Sequence, residues 1–161
     1  MHSSIQRSAI VSLFLSLSFL IAGPAFAQDA SVGRHTVGGF VGFTDRDDVD
    51  FSVGGEYDYR LRRQWSIGAV AEHTPDAYGP YDATVLMGTA KFHPASMQRL
   101  QLIGGLGAEF KDIGGDDLKF RVGAGYDVFR EGSITITPRV TVDFGEGDEN
   151  VVFGVTAFYG L

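Results

Sequence analysis

The segment Glu72-His73-Thr74-Pro75-Asp76 is the part of the chain whose residue types come nearest to supporting nucleophilic catalysis. Such chemistry needs a nucleophile, a histidine base beside it and a carboxylate that orients the histidine. The hydroxyl next to His73 belongs to Thr74, a poor substitute for serine. No GxSxG elbow, phosphate loop, dinucleotide fingerprint or metal-spaced His/Cys set occurs. We therefore expect no catalytic residue, no metal site and no cofactor.

A second set of candidate functional residues consists of charged residues that alternate with apolar ones. These charged side chains could form ion pairs with one another. Residues of one polarity at every second position indicate a β-strand with two unlike faces. Near Arg121, for example, Phe120 and Val122 lie on the opposite face from Lys119 and Arg121. The charged residues assigned to the polar faces are Glu56, Asp58, Glu72, Lys91, Glu109, Lys111, Lys119, Arg121, Asp127, Arg139 and Asp143.

Strands that could carry these residues recur along the whole chain, separated by Gly, Asp, Pro or Arg clusters. The fourth segment is ambiguous, and Lys91 favours placing its odd positions on the polar face. Helical spacing is absent, while glycine and threonine are frequent. The eight predicted strands lie near 35–44, 50–60, 65–73, 81–93, 100–111, 118–129, 133–144 and 150–161.

Three observations suggest that the apolar faces point outward, into lipid. The polar faces carry many glycines, which suit the crowded interior of a narrow barrel. Aromatic residues gather near the ends of the apolar faces, as in interfacial girdles, and the polar-face charges nearly balance. A single Arg or Lys facing lipid costs about 2–4 kcal/mol at the midplane. The sequence predicts an all-β fold, an eight-stranded antiparallel up-and-down transmembrane barrel. A soluble lipocalin-like barrel with its apolar face inside stays the alternative.

The N-terminal segment and the composition of the chain agree with export. Arg7, an apolar stretch and Ala25-Phe26-Ala27 predict a cleavable signal peptide over 1–27, followed by a short extension over 28–34 and the barrel over 35–161. The remaining chain has 12 basic against 20 acidic residues, which disfavours nucleic acid as a partner. It has no cysteine, so packing and hydrogen bonds must hold it together.

Charge also differs between the two sets of connections. The predicted inner turns, Leu61–Gln64, Pro94–Arg99 and Arg130–Gly132, are basic, and the predicted outer loops are acidic. Two acidic clusters, Asp45-x-Asp47-Asp48 and Gly114-Gly115-Asp116-Asp117, stay open to two interpretations. They form a solvated rim, or they hold divalent cations that bridge to lipopolysaccharide phosphates. Neither cluster has the spacing of an EF-hand loop.

The signal peptide, the eight segments, the runs Gly104-Gly105-Leu106-Gly107-Ala108 and Val122-Gly123-Ala124-Gly125-Tyr126, and the apolar last strand resemble small outer-membrane barrels of the OmpA/OmpX type. The resemblance implies Gram-negative outer-membrane residence, contact with its lipid and lipopolysaccharide, and insertion by the barrel-assembly machinery with periplasmic chaperones. That machinery reads the terminal strand, where the matching residues are Phe153, Val155, Ala157, Tyr159 and Leu161. Such proteins usually end in Phe, whereas this chain ends in Leu161.

Enzymatic relatives of this fold match the chain less well. A lipid A deacylase of this kind carries Phe-x-His-x-Ser-Asn, and here Pro75 stands where the serine would follow His73. Palmitoyl-transferring barrels begin with an amphipathic helix, for which 28–34 leave little room. We therefore expect a non-enzymatic, monomeric outer-membrane protein, structural or protective, whose lumen is filled by paired charges. The alternative is a narrow porin-like channel for small solutes or hydrophobic ligands.

Overall fold

A computed structural model describes residues 34–46, 48–112, 114–145 and 149–161. The predicted signal peptide and most of the extension lie outside these ranges, as do Asp47, Glu146 and Asp148 of the acidic loops. Helices long and apolar enough to cross a bilayer do not occur in the described ranges. The strands are β1 His35–Asp45, β2 Val49–Arg62, β3 Trp65–Thr74, β4 Ala83–Phe92, β5 Leu100–Lys111, β6 Asp117–Tyr126, β7 Phe129–Glu131, β8 Ile134–Phe144 and β9 Glu149–Gly160.

The strands form one closed antiparallel barrel, as the alternation predicted. Neighbouring strands from β1 to β6 pair in chain order, and β9 pairs with both β8 and β1. Pairing of β6 with β8, from Phe120 opposite Phe144 to Gly125 opposite Arg139, completes the ring. Eight strands of 10 to 14 residues therefore surround the lumen. This length is sufficient for tilted strands to cross a bilayer, which takes about 9–11 residues.

The ninth strand, β7, is a three-residue hairpin arm and does not belong to the wall. The sixth predicted segment ran without a break to residue 129, whereas the structure ends β6 at Tyr126 and turns at Asp127 and Val128. Phe129 to Glu131 then pair with the start of β8. Pairing of β6 with β8 stops beside Arg139, and the chain uses the remaining residues to close a tight turn at Gly132, which has φ of +57°.

The two ends of the barrel differ in their connections. We call the end that holds the connections β1–β2, β3–β4, β5–β6 and β8–β9 the loop end, and the opposite end the turn end. Both His35, where β1 begins, and Gly160, where β9 ends, lie at the turn end. Aromatic residues on the outer surface lie near both of these ends. Those near the loop end include Phe43, Phe51, Phe110, Phe120 and Phe144, while those near the turn end include Tyr57, Trp65 and Tyr159.

Large apolar side chains cover the outside of the barrel. Leu106 is 58% exposed and Trp65 is 47% exposed, although both are hydrophobic. On β4 the odd positions Val85, Met87 and Lys91 are buried and Leu86 is exposed, so Lys91 indicated the right face. In β9, Val155, Ala157, Tyr159 and Leu161 are exposed at alternating positions. Phe153 shares their face but is only 7% exposed, because the ring of Phe43 lies against it with centroids 5.8 Å apart.

Candidate functional site

The structure places the predicted charged residues inside the barrel. Ten of the eleven are buried, and the side chain of Lys111 is 13% exposed at the loop end. Together with seven further residues that they contact, they form three groups along the axis. The central cluster comprises Glu56, Asp58, Glu72, Lys91, Arg121, Arg139 and Asp143. The loop-end cluster comprises Arg46, Tyr78, Glu109, Lys111, Asp117 and Lys119. The turn-end cluster comprises Arg99, Gln101, Asp127, Arg130 and Thr137.

Arg121 is the most heavily paired residue of the central cluster. Its Nε and Nη2 donate to the two oxygens of Asp143 at 2.6 and 2.7 Å. Its Nη1 and Nη2 also donate to the two oxygens of Glu72 at 2.9 and 2.6 Å. Bidentate pairing of this kind combines charge attraction with two directed hydrogen bonds. Glu72, Arg121 and Asp143 lie on β3, β6 and β8. Arg121 therefore links strands that are not all neighbours in the sheet.

The remaining members extend this network across the lumen. Arg139 donates to Glu56 at 2.6 Å and also to Glu72, so Glu72 is shared between the two arginines. Lys91 pairs with Glu56 and donates to Asp58 at 2.7 Å. Within the described residues the cluster therefore holds three cations and four carboxylates in mutual contact. A buried charge without a partner is costly, and this arrangement leaves each charged group with at least one opposite charge.

Glycines opposite the large luminal side chains make this packing sterically feasible. Across the strand pairs, Arg121 faces Gly105, Glu72 faces Gly54 and Arg139 faces Gly125. A Cβ added at Gly54 would lie 2.9 Å from Cγ of Glu72, and one at Gly125 would lie 3.4 Å from Cβ of Arg139. On the outward face, by contrast, a Cβ at Gly104 would meet nothing within 4 Å. The inward glycines therefore leave room for the long charged side chains.

Two aromatic rings inside the barrel carry cations of the central cluster. The Arg139 guanidinium lies 4.3 Å from the Phe40 ring centroid, and Lys91 Nζ lies 4.7 Å from that of Phe158. Each ring also lies close to a glycine. A Cβ at Gly154 would approach the Phe40 ring to 2.6 Å, and one at Gly38 would approach the Phe158 ring to 2.7 Å. Each ring is therefore near both a glycine and a cation, and cation–π attraction adds to the ion pairs.

The loop-end cluster closes the lumen with residues from loops as well as strands. Glu109 is fully buried and pairs with Arg46, with Lys119 at 3.1 Å and with Lys111 at 3.7 Å. Tyr78 donates its hydroxyl to Glu109 at 3.2 Å. The Arg46 guanidinium and Lys111 Nζ each lie 4.9 Å from the Tyr78 ring centroid.

Asp127 organises the turn-end cluster. Its Oδ1 accepts from Gln101 and from Thr137, each at 2.7 Å, and its Oδ2 accepts from Arg130. The Arg99 guanidinium also donates to the main-chain oxygen of Asp127 at 3.4 Å. The break between β6 and β7 at this residue therefore coincides with the point where its side chain gathers three donors.

Strand alternation separates the residues that suggested catalysis. Glu72 and Thr74 are buried inside, where Glu72 pairs with arginines and Thr74 bonds to Ser52 at 2.8 Å. His73 lies on the opposite face, where its Nδ1 is 3.0 Å from Thr84 and its Nε2 is 3.6 Å from Asp82. The hydroxyl of Thr74 is therefore not available to His73 as a nucleophile.

The acidic clusters do not converge on a cation in the described residues. Asp117 pairs with Lys111, and Asp116 is exposed in the loop beside it. No group of three or more His, Cys, Asp or Glu side chains with metal-binding geometry occurs in the ranges that the structure describes.

Several residues of the lumen did not stand out in the sequence. Arg46 and Tyr78 come from loops, and Phe40 and Phe158 occupy positions that the alternation assigns to a polar face. The signal that could have found the two phenylalanines is their parity. Both share a face with neighbouring small residues, Phe40 with Gly38 and Gly42, and Phe158 with Thr156 and Gly160.

Comparisons with known proteins agree on the fold. The crystal structure of Ail, the attachment invasion locus protein of Yersinia pestis, matches with a TM-score of 0.55 at 13% identity, covering 79% of this chain and 96% of that chain. The N-terminal β-barrel domain of Pseudomonas aeruginosa OprF matches with a TM-score of 0.52 at 12% identity, covering 80% and 98%.

A transmembrane β-barrel designed de novo also matches, with a TM-score of 0.53 at 12% identity, covering 76% of this chain and 94% of that chain. No protein-family model matches the chain, and no curated protein matches it in sequence. At these identities the likeness shows the fold alone, which is that of a small eight-stranded transmembrane β-barrel.

Proposed function

We propose that this chain is a non-enzymatic integral protein of the Gram-negative outer membrane, with a structural or protective role and a lumen closed to solutes. The observation that carries the proposal is the combination of an apolar outer wall with the central cluster, in which Arg121 and Arg139 bridge opposing carboxylates. A wall of this polarity is stable in lipid, and the ion pairs occupy the space that a pore would need.

The proposed orientation puts the loop end outside the cell and the turn end in the periplasm. Barrels of this type start and end on the periplasmic side, and both strand ends of the chain lie at the turn end. The proposed partners are outer-membrane lipid and lipopolysaccharide, with the barrel-assembly machinery and periplasmic chaperones acting during insertion. Signal-peptide cleavage, reading of the terminal strand by that machinery and a monomeric state belong to the same proposal.

Membrane residence can be tested by fractionation combined with heat-modifiable gel mobility. We expect the protein in the outer-membrane fraction, and we expect a faster-migrating folded band that shifts on boiling. Refolding of the chain in buffer without detergent would instead support a soluble barrel.

The closed lumen can be tested by planar-bilayer conductance. We expect no steady openings from the purified protein, because three buried cations and four carboxylates fill the middle of the barrel. Steady openings would replace the closed lumen with a narrow channel for small solutes.

The absence of catalysis has a separate test. Lipid A from cells with and without the protein should give identical mass spectra, since His73 lacks a neighbouring serine and the Thr74 hydroxyl points into the barrel. Loss or gain of an acyl chain that depends on the protein would overturn this part of the proposal.

We do not expect this chain to bind sulfated polymers. The structure of Ail has been determined in complex with the heparin analogue sucrose octasulfate. In this chain the exposed loop-end residues include Asp48, Asp112 and Asp116, which would repel such a polyanion.

A further inference from the structure

A polar cavity lies inside the barrel at the turn end. Its volume is about 40 Å³, and it is partly open to solvent. A buried water needs roughly 10–15 Å³ of such space, so the cavity suits about three waters or one small tetrahedral ion. The charged and titratable residues that line it are Arg34, Asp58, Arg60, Lys91, His93, Asp127 and Arg130.

Cations outnumber carboxylates around this cavity. Four basic side chains line it against two carboxylates, and both carboxylates are already engaged. Asp58 accepts from Lys91, and Asp127 accepts from Arg130, Gln101 and Thr137. Arg60 is half-buried and forms no ion pair with any described carboxylate within 4.0 Å. A guanidinium held in this position attracts an anion, because the cavity wall partly excludes the water that would otherwise solvate it.

A hydrogen-bond donor of Arg130 also supports an anion site. The Nε of Arg130 is buried and has no hydrogen-bond partner among the described residues. Buried polar groups are normally satisfied by protein, water or a ligand, and Arg130 is one of the residues that line the cavity. The free Oδ1 of Asp58 would repel an anion, so the ligand position lies nearer to Arg60 and Arg130.

We propose that this cavity is a binding site for a small oxyanion of the phosphate class, with Arg60 as its main ligand and Arg130 as the second. Arginine suits such a ligand, because its planar fork of N–H groups donates two parallel hydrogen bonds to phosphate or carboxylate oxygens. The inference goes beyond the proposed function and does not depend on it, since binding is measured on the isolated barrel. Phosphate chemistry is common to free phosphate and to phospholipid headgroups, and the experiment distinguishes them.

Placement of basic residues at this end gives the anion an electrostatic path to the site. The chain as a whole has a formal charge of −7, yet Arg34, Arg60, Arg99 and Arg130 all lie at the turn end. An anion approaching from this side therefore meets a local positive field, whereas the exposed acids of the loop end would repel it.

The test is a titration of the purified protein, held in the phosphate-free detergent octyl glucoside, with inorganic phosphate. We expect saturable heat of binding in calorimetry for the natural chain. Arg60→Gln should weaken binding at least about tenfold, because it removes a charge-assisted bidentate contact. Arg60→Lys should retain part of the affinity. Arg62→Gln is the matched control, since Arg62 lies on the same strand, is exposed and does not line the cavity.

A second readout is the titration of His93 followed by nuclear magnetic resonance. Burial, and after it the nearby Arg60 guanidinium, lowers the pKa of His93 from its ordinary value. An anion bound beside this imidazole favours its charged form, so phosphate should raise the pKa of His93. Because Arg60 holds no ion pair, we expect Arg60→Gln to keep its heat-modifiable mobility. If Arg60→Gln loses that mobility, Arg60→Lys takes its place in the comparison with the natural chain.

Two arms separate the sources of the phosphate group. In the first arm the probe is inorganic phosphate, and in the second it is short-chain dihexanoyl phosphatidylglycerol. Saturable binding of either probe that is weakened by Arg60→Gln and not by Arg62→Gln supports the site, and the probe that binds identifies the source. Absence of binding by both probes, or equal weakening by both variants, would overturn it.

Discussion

The central cluster and the loop-end cluster use similar ion pairs but differ in how the chain holds them. All seven residues of the central cluster lie on strands, and Arg121 on β6 reaches Glu72 on β3 across the lumen. In the loop-end cluster, Arg46 and Tyr78 come from the β1–β2 and β3–β4 loops. The central pairs can separate only when the barrel opens, whereas the loop residues can leave Glu109 by local motion. Similar contacts should therefore contribute differently to global and local stability.

The strongest test of this difference is Arg121→Ala. The substitution leaves Asp143 buried without its bidentate partner, and Glu72 loses one of its two arginines. We expect a loss of about 3–5 kcal/mol in the free energy of unfolding, the usual cost of breaking a buried ion pair. Urea unfolding of the protein in detergent or lipid measures it. Arg62→Ala, which removes an exposed arginine, is the control and should change stability by less than about 0.5 kcal/mol.

The origin of this loss can be checked by removing the charges together. Arg121→Met combined with Glu72→Gln and Asp143→Asn leaves fewer unpaired charges than Arg121→Ala alone, so the triple variant should recover part of the lost stability. Equal urea midpoints for Arg121→Ala and the natural chain would show that the central cluster contributes nothing to folding.

Alternation along the strands was enough to predict the strands and to show which charged residues share a face, but not which face points outward. Each strand has one apolar face, and the polarity of Lys91 alone decided the ambiguous fourth segment. Parity depends only on the pleat of the backbone, which is local. The aromatic, glycine and charge patterns then indicated the outward direction of the apolar face.

Partners across the lumen could not be predicted, because they depend on register and closure. Arg121 and Asp143 are directly opposite on paired strands, but Arg139 and Glu56 are 83 positions apart in the chain and meet only across the closed barrel. The entry of Arg46 and Tyr78 into the loop-end cluster depends on loop conformation, for which alternation gives no signal. The burial of Phe153 depends on its neighbour Phe43 in the adjacent strand.

The next test concerns the space that glycines give the central cluster. Gly154→Ala adds a Cβ that would lie 2.3 Å from the carbonyl oxygen of Val41 and 2.6 Å from the Phe40 ring. Displacement of this ring also disturbs the Arg139 guanidinium, which lies 4.3 Å from the ring centroid. We expect a loss of about 1–3 kcal/mol, as for overpacking in a protein core. Gly104→Ala, on the outward face with nothing within 4 Å of the added Cβ, is the matched control. If both alanines cost the same, the inward glycines are not needed for space.

A smaller and more local effect is expected at the loop end. Arg46→Gln removes one cation from Glu109, which keeps Lys119 at 3.1 Å and Lys111 at 3.7 Å. We expect a global loss of about 1 kcal/mol, in the range of a single hydrogen bond, because the remaining lysines still neutralise the carboxylate. Hydrogen exchange should accelerate in the β1–β2 and β3–β4 loops and stay unchanged at Arg121 and Arg139. Acceleration throughout the barrel would mean that the two clusters unfold as one unit.

The smallest expected effect is the response of Tyr78 to alkaline pH. Burial raises the pKa of Tyr78 above the ordinary phenol value, with the Glu109 carboxylate acting in the same direction and Arg46 opposing it. The unfolded chain releases this proton near pH 10, whereas the folded chain holds it to higher pH. The unfolded state then binds fewer protons, so the contribution of Tyr78 to stability is complete below about pH 10 and falls as the pH rises through the raised value. Tyr78→Phe lacks this titration, so the difference in unfolding free energy between the natural chain and the variant should shrink above pH 10. A difference that stays constant with pH would place the Tyr78 hydroxyl in water, outside the loop-end cluster.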